Sequence, residues 1–431
     1  MDRADYERRI AWYREARFGL FIHWGLYAIP ARGEYYQHNE RIPAADYARY
    51  FDEFDPVDYD PKAWARAARE AGMRYAVITV KHHEGFCLFD TQLTDFKSTN
   101  TRCGRDLIAE FVEAFRAEGL KVGFYYSMID WRHPDYPRYG HVHPQRDDPA
   151  FKDETVHFDR YLDYMFGQVK ELCTNYGKID IFWFDYAYGN MRGEVWRGSA
   201  LFDMVRRYQP DALINNRIEA SGGSYGSLVT DAPTPYCGDF VTPECQVPAQ
   251  RIVNARGEDV MWETCVPVNR NWGYHAMDKD FKSPALLVRT LAECVSKGGN
   301  LLLNIGPDAR GNFPPEALDQ LAAVGAWMKR NSDSIYGCTY ADLPKPAHGR
   351  ITRKGNTLYY HVFESSINDV WLEGLRREDI RRIRLLADGS ELPPVNTFFT
   401  ERHPDAVCVS PSPTSALPDP LDTVIAVELN P

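Results

Sequence analysis

The chain has 431 residues, 44% hydrophobic and 26% charged, which suits one large globular domain with a smaller one behind it. A net charge of −11 argues against a nucleic-acid or anionic-membrane surface. The charged start has no apolar signal-peptide core and no apolar run is long enough to span a bilayer. The nine cysteines, scattered without a Cys-x-x-Cys, read as reduced thiols of a cytoplasmic protein.

Residues 1–16 read as a helix leading into a first strand, Phe18-Gly-Leu-Phe-Ile-His-Trp-Gly25, with His23 at its end. A Tyr-rich loop over 26–59 carries Glu34. Asp60-Pro61 opens a helix, Asp as N-cap and Pro at the first helical position, and Gly72 ends it. The second strand, 75–80, runs into Lys81-His82-His83. A helix over 106–118 shows a 3.6-residue apolar period in Leu107, Ile108, Phe111, Val112 and Phe115. The third strand, 121–126, ends in Tyr125-Tyr126, and a loop and a long helix near 154–176 follow.

The fourth strand is the most informative. Ile179-Asp-Ile-Phe-Trp-Phe-Asp185 has the apolar texture of a strand buried on both faces, and a carboxylate stands where it ends. Such a carboxylate is costly unless it is hydrogen-bonded, paired or used. A helix near 196–208 and a fifth strand, 212–217, ending in Asn215-Asn216-Arg217, come next. The pattern weakens over 218–258, where only a short strand at 238–242 precedes Pro243-Glu244. Strands over 260–264 and 301–305, with helices opened by Ser283-Pro284 and Pro314-Pro315, complete the alternation.

About eight strand–helix units argue for a (β/α)₈ barrel over 1–339. A doubly wound open sheet requires a Gly-rich phosphate turn after the first strand, and His-Trp-Gly-Leu-Tyr is not one. After 340, short alternating segments such as Thr357-Leu-Tyr-Tyr-His-Val-Phe363 read as a small antiparallel β-sandwich over 340–431.

The polar residues at strand ends are His23; Lys81, His82 and His83; Tyr125 and Tyr126; Asp185; Asn215, Asn216 and Arg217; Glu244; and Glu263. In a barrel all of them gather on the rim where active sites sit. Two carboxylates from different strands, hydroxyl-binding groups and many aromatics suit a glycosidase. A metal hydrolase requires His and carboxylates in ligating geometry, and the His-x-His here, His141-Val-His143, lies in a loop. A non-catalytic carbohydrate-binding protein has no use for two carboxylates on one rim.

Four segments, Phe18–Gly25, Lys81-His-His-Glu-Gly-Phe86, Trp183-Phe-Asp185 and Gly299-Asn-Leu-Leu-Leu-Asn-Ile-Gly-Pro307, resemble the signature segments of the α-L-fucosidases of glycoside hydrolase family 29. The likeness runs in order from about 10 to 337. It implies a barrel with a β-sandwich behind it, a retaining mechanism, no metal or other cofactor, and a fucosylated oligosaccharide or glycoside as substrate. Asp185 resembles the family nucleophile. His23, Glu34, His82 and His83 fall where the family binds fucose hydroxyls. Of Tyr125 and Tyr126 only one points inward, and Tyr126 is expected beside the nucleophile. Arg217 resembles an arginine that helps hold the site, and Trp272 part of the wall beside the C6 methyl. Glu244 and Glu263 are both candidates for the acid/base; Glu244 is favoured because catalytic groups concentrate on rim loops, while Glu263 stands deeper in an apolar strand, the place of a residue that braces the site. The sequence is compatible with a homo-oligomer.

Overall fold

The computed structural model describes residues 3–364, 369–398, 400–414 and 416–431. Seven strands build one parallel sheet: β1 Phe18–Ile22, β2 Tyr75–Lys81, β3 Lys121–Ser127, β4 Ile181–Asp185, β5 Leu213–Ile214, β6 Glu263–Pro267 and β7 Asn300–Ile305. Their spatial order is β5-β4-β3-β2-β1-β7-β6. Strands β1, β2 and β7 are buried along their whole length, which is why they read as unbroken apolar runs.

The two ends of the sheet meet through residues 240–244. Asn215 bridges Phe240, Val241 bridges Trp262 and Glu244 bridges Cys265, each in parallel sense. The strand expected at 238–242 exists only as these single bridges. Its first carboxylate takes the place of a ladder partner: Asp239 accepts from the Ile214 backbone N–H at 2.8 Å and from Arg9 Nη2 at 2.9 Å.

Alternation along the strands sorts side chains into two layers. Phe21, Tyr75, Val77, Tyr125, Ile181, Trp183, Leu213, Cys265 and Leu302 fill the barrel, and the helix Arg3–Ala16 plugs its floor with Ile10 and Tyr13. Residues of the other parity, among them Leu20, Ile78, Phe124, Tyr126 and Phe182, pack beneath the surrounding helices. The main helices are Pro61–Glu70, Leu107–Ala117, Phe158–Asn175, Gly198–Tyr208, Pro284–Val295 and Pro315–Asn331. The caps read from sequence are in place: Asp60 accepts from the Lys62 and Ala63 N–H groups, Asp106 from Ile108 and Ala109, and Ser283 from Leu286.

One register differs from expectation. The strand expected at 260–264 starts at Glu263 and runs on to Pro267. Glu263 pairs with Asn300, the first residue of β7, so it belongs to the floor of the barrel and not to its rim.

Beyond the barrel lie β8 Thr339–Tyr340, β9 Gly349–Lys354, β10 Thr357–Val362, β11 Val370–Glu373, β12 Ile380–Leu385, β13 Ala406–Val409 and β14 Thr423–Leu429. A five-stranded antiparallel sheet, β12-β14-β10-β9-β8, and a two-stranded sheet, β11-β13, enclose a core that includes Leu358, Tyr360, Leu372, Ile383, Val407 and Ile425. Trp327 Nε1 donates to the Asp422 carbonyl at 2.8 Å and ties this sandwich to the last barrel helix. Among the described residues no helix is long and apolar enough to cross a membrane.

Candidate active site

A cavity of about 260 Å³ opens at the C-terminal ends of the strands. Its lining includes His23, Glu34, His82, His83, Asp185, Arg217, Glu244 and Trp272. Nine of the residues singled out from sequence, these eight and Tyr125, thus line one cavity. Tyr35, Tyr125, Tyr186, Tyr188, Ser221 and Cys265 complete it together with Phe21, Trp183 and Gly222.

Asp185 ends β4 and is largely buried. Its Oδ2 accepts from Tyr125 Oη at 2.8 Å and its Oδ1 from Arg217 Nη1 at 3.1 Å. Burial pushes its carboxyl up to about 6; Arg217 opposes that rise and the neighbouring charge of Glu244 adds to it. The expectation for Tyr126 is therefore corrected. Tyr126 has the outward parity of β3, and its hydroxyl donates to Gln168 Oε1 at 2.7 Å on the helix Phe158–Asn175. Tyr125 has the inward parity and is the tyrosine on Asp185.

Arg217 joins the two rim carboxylates. Its Nη2 donates to Glu244 Oε2 at 2.9 Å while Nη1 holds Asp185. Its Nε donates to Thr242 Oγ1 at 2.7 Å, and the guanidinium lies 4.8 Å from the Trp183 ring centroid. Glu244 is the more open of the pair, with about a third of its side chain exposed (35%) at the mouth. Each carboxylate is followed by a non-glycine residue in the left-handed region, Tyr186 at φ 95° and Cys245 at φ 54°. Such backbone persists only where the surroundings hold it, and it turns the chain sharply away just after each acid.

Glu263 is elsewhere, which corrects its place among the rim residues. It is fully buried on the floor, accepts from Tyr75 Oη, and accepts from Trp183 Nε1 at 3.3 Å. Burial raises its carboxyl to about 7 against those hydrogen bonds. It does not line the cavity.

Burial holds the three histidines neutral. His23 and His83 are held well below the usual imidazole range, and His82 is lowered to about 3. A neutral imidazole has one donor and one acceptor, and its back-side partner decides which faces the cavity. Asn304 Nδ2 donates to the Trp272 carbonyl at 2.8 Å, so its Oδ1, 2.7 Å from His23 Nδ1, accepts the Nδ1 proton. Ser127 Oγ donates to the Ile129 carbonyl at 2.9 Å, so it accepts from His83 Nδ1 at 2.7 Å. In both rings Nε2 is left as the acceptor.

Glu34 Oε2 accepts from the Gly273 N–H at 2.8 Å, and burial raises its carboxyl. The Trp272 ring stands 5.2 Å from that of His23, forming an apolar side of the cavity. The Trp272-Gly273 turn rests on Gly306, where a Cβ would come within 2.7 Å of the Trp272 carbonyl oxygen.

Other residues near the strand ends are structural. Lys81 points outward and pairs with Asp130 Oδ2 at 3.2 Å. The Asn215 side chain holds the Phe184 backbone on both sides, accepting from N–H at 3.1 Å and donating to C=O at 2.9 Å. His141 and His143 have separate partners, Tyr188 Oη at 3.0 Å and the Trp131 carbonyl at 2.9 Å.

The family model described as alpha-L-fucosidase matches residues 1–333. Among curated relatives, the alpha-L-fucosidase of Dictyostelium discoideum is 26% identical over 355 residues, covering 76% of this chain and 71% of that protein. The tissue alpha-L-fucosidase of Homo sapiens is 27% identical and covers 76% of this chain and 69% of its own. Among solved structures, alpha-L-fucosidase isoenzyme 1 from Paenibacillus thiaminolyticus superposes with a TM-score of 0.96 at 54% identity, covering 99% of this chain and 100% of that one. A glycoside hydrolase family 29 alpha-L-fucosidase from Bacteroides thetaiotaomicron, solved as a trapped covalent intermediate with 2-fluoro-fucosyl fluoride, gives a TM-score of 0.83 at 30% identity and covers 98% and 96% of the two chains.

Proposed function

The chain belongs to the alpha-L-fucosidase family, and we propose that it removes terminal α-L-fucosyl residues from oligosaccharides or glycosides by double displacement, with Asp185 as nucleophile and Glu244 as acid/base. The single observation that carries this reading is Arg217 bound to both carboxylates at once, one buried and one at the cavity mouth.

The chemistry follows from that asymmetry. Asp185, ionised above about pH 6 and aimed by Tyr125 and Arg217, attacks the anomeric carbon. Glu244, nearer solvent, gives its proton to the leaving oxygen, which must exit through the mouth. Formation of the ester consumes the charge of Asp185, so Glu244 loses its proton with no negative neighbour beside it. Glu244, now ionised, takes a proton from water as that water cleaves the fucosyl-enzyme.

His23, His82, His83 and Glu34 supply the hydroxyl contacts, and Trp272 faces the methyl group. A cavity of about 260 Å³ falls just short of the roughly 300–1,000 Å³ typical for drug-sized ligands, so it fits one sugar ring and favours exo action. The test is release of 4-nitrophenol from its α-L-fucoside, with the first sugar product formed as the α-anomer and activity unchanged in a chelator. Absence of hydrolysis alongside tight fucose binding would point instead to a carbohydrate-binding protein. Loss of activity in the chelator would point to a metal hydrolase.

A further inference from the structure

Two of the three cavity histidines have a back-side acceptor that fixes their proton on Nδ1, and the third stands before a group with no assigned task. His82 Nδ1 faces Glu84 Oε2 at 3.4 Å. Both side chains are almost fully buried. No well-formed hydrogen bond reaches His82 Nδ1 or either carboxyl oxygen of Glu84, although the backbone N–H groups of Leu26 and Glu84 lie close enough to favour the charged carboxylate. The chain makes room for this carboxyl: at Gly25 a Cβ would stand 2.5 Å from Glu84 Oε1. A buried acid with no side-chain hydrogen bond of good geometry is a liability for folding and calls for a reason.

We propose that Glu84 is a positioning residue for substrate binding: it accepts the Nδ1 proton of His82, as Asn304 and Ser127 do for His23 and His83, and so leaves Nε2 of His82 as acceptor for a sugar hydroxyl. All three imidazoles then present the same face. A sugar hydroxyl that donates to such a nitrogen keeps its own lone pairs for other partners, whereas a reversed imidazole would occupy one of them; at His83 the Nε2 acceptor also faces Tyr35 Oη at 3.3 Å. Burial raises Glu84 to about 8, and a neutral carboxyl still accepts through its carbonyl oxygen. At 3.4 Å from Nδ1 it is at the long end of hydrogen-bond range.

The inference rests on the reading of the cavity as a fucose site, and the two can be tested apart. Long-range proton–nitrogen spectra of the wild-type enzyme, with the His82 signals assigned by their loss in His82→Asn, report the tautomer without any ligand. A single Nδ1–H tautomer is expected; an Nε2–H or mixed state overturns the proposal, and this readout needs no Glu84 variant to fold. Glu84→Leu removes the unpaired carboxyl and fills its volume, so its melting temperature should not fall. Its affinity for a fucose-configured iminosugar should drop about ten-fold, while Glu84→Gln, whose amide oxygen still accepts, should stay near wild type. Unchanged affinity in Glu84→Leu, or a loss shared equally by Glu84→Gln, overturns the assignment. A wild-type enzyme that does not bind the iminosugar at all would instead overturn the fucose reading and leave the tautomer to be judged by the spectra.

Discussion

Arg217 Nη1 stands 3.1 Å from Asp185 Oδ1, both side chains nearly closed off from water, and this contact is the electrostatic centre of the site. Burial of a carboxylate favours its neutral form, and the guanidinium pulls the other way. The acid limb of kcat/KM should therefore fall with a midpoint near 6, where Asp185 takes up a proton. Arg217→Met removes the opposing cation, so the limb should move to higher pH. A pH–rate profile with an unmoved or lowered acid limb would show that Asp185 does not set it.

Tyr125 and Tyr126 are adjacent, and only one of them matters to the chemistry. Tyr125→Phe deletes a hydrogen bond to a charged oxygen and should lower kcat/KM about 10- to 100-fold with little change in melting temperature. Tyr126→Phe should leave activity within two-fold or so. It strands Gln168 Oε1 beneath a helix, which costs about 1–3 kcal/mol of stability. Kinetics and thermal melts on the two variants check both halves.

Glu263 should act on stability, not on turnover. Its folded value of about 7 lies above the usual glutamate value of 4.5, so the folded state holds a proton that the unfolded chain has released between those limits. Stability from this group is full below about 4.5 and is lost as pH rises toward 7, by at most about 3 kcal/mol. Asp185, raised in the same sense, adds a slope of the same sign at lower pH. Glu263→Gln should flatten the fall of melting temperature between about pH 4.5 and pH 7, the window between its unfolded and folded values, while keeping most activity. A large loss of turnover without a change in the melting profile would transfer the acid/base role to Glu263.

Glu244 is expected to show the signature of an acid/base. Without its proton, poor leaving groups suffer more than good ones. Glu244→Ala should keep far more of its glycosylation rate on an activated aryl fucoside than on a disaccharide. The second step becomes limiting, and added azide should speed turnover to give the α-fucosyl azide, retained in configuration. Equal losses on both substrates, with no azide product, would count against it.

Much of this site was legible in the chain itself. His23, Lys81-His82-His83 and Asp185 stand where apolar strands end, and a buried parallel strand has few other places for polar groups. Tyr126 misled because a strand of inward and outward aromatics, Gly-Phe-Tyr-Tyr, gives no phase of its own; only the helix bearing Gln168 decides it. Glu263 misled because the apolar run Val260-Met-Trp precedes its strand, and Pro267, which looks like a breaker, lies within it. The strand expected at 238–242 has no ladder to leave a pattern, since Asp239 takes the backbone N–H of Ile214. The partners of the histidines, Asn304 and Ser127, come from other strands and are joined to them only by the closed barrel. Tyr186, Tyr188 and Ser221 reach the cavity through turns: Tyr186 is itself left-handed without being glycine, and Gly189 and Gly222 beside the other two mark a turn but not a cavity.

The central claim is that Asp185 carries the sugar. Wild-type enzyme incubated with 2-deoxy-2-fluoro-fucosyl fluoride, whose fluorine slows the second step, should gain the mass of one fluorofucosyl group. Peptide mapping should place that mass on Asp185. A label on any other residue, Glu244 and Glu263 included, or continued turnover with no label formed, would contradict the account.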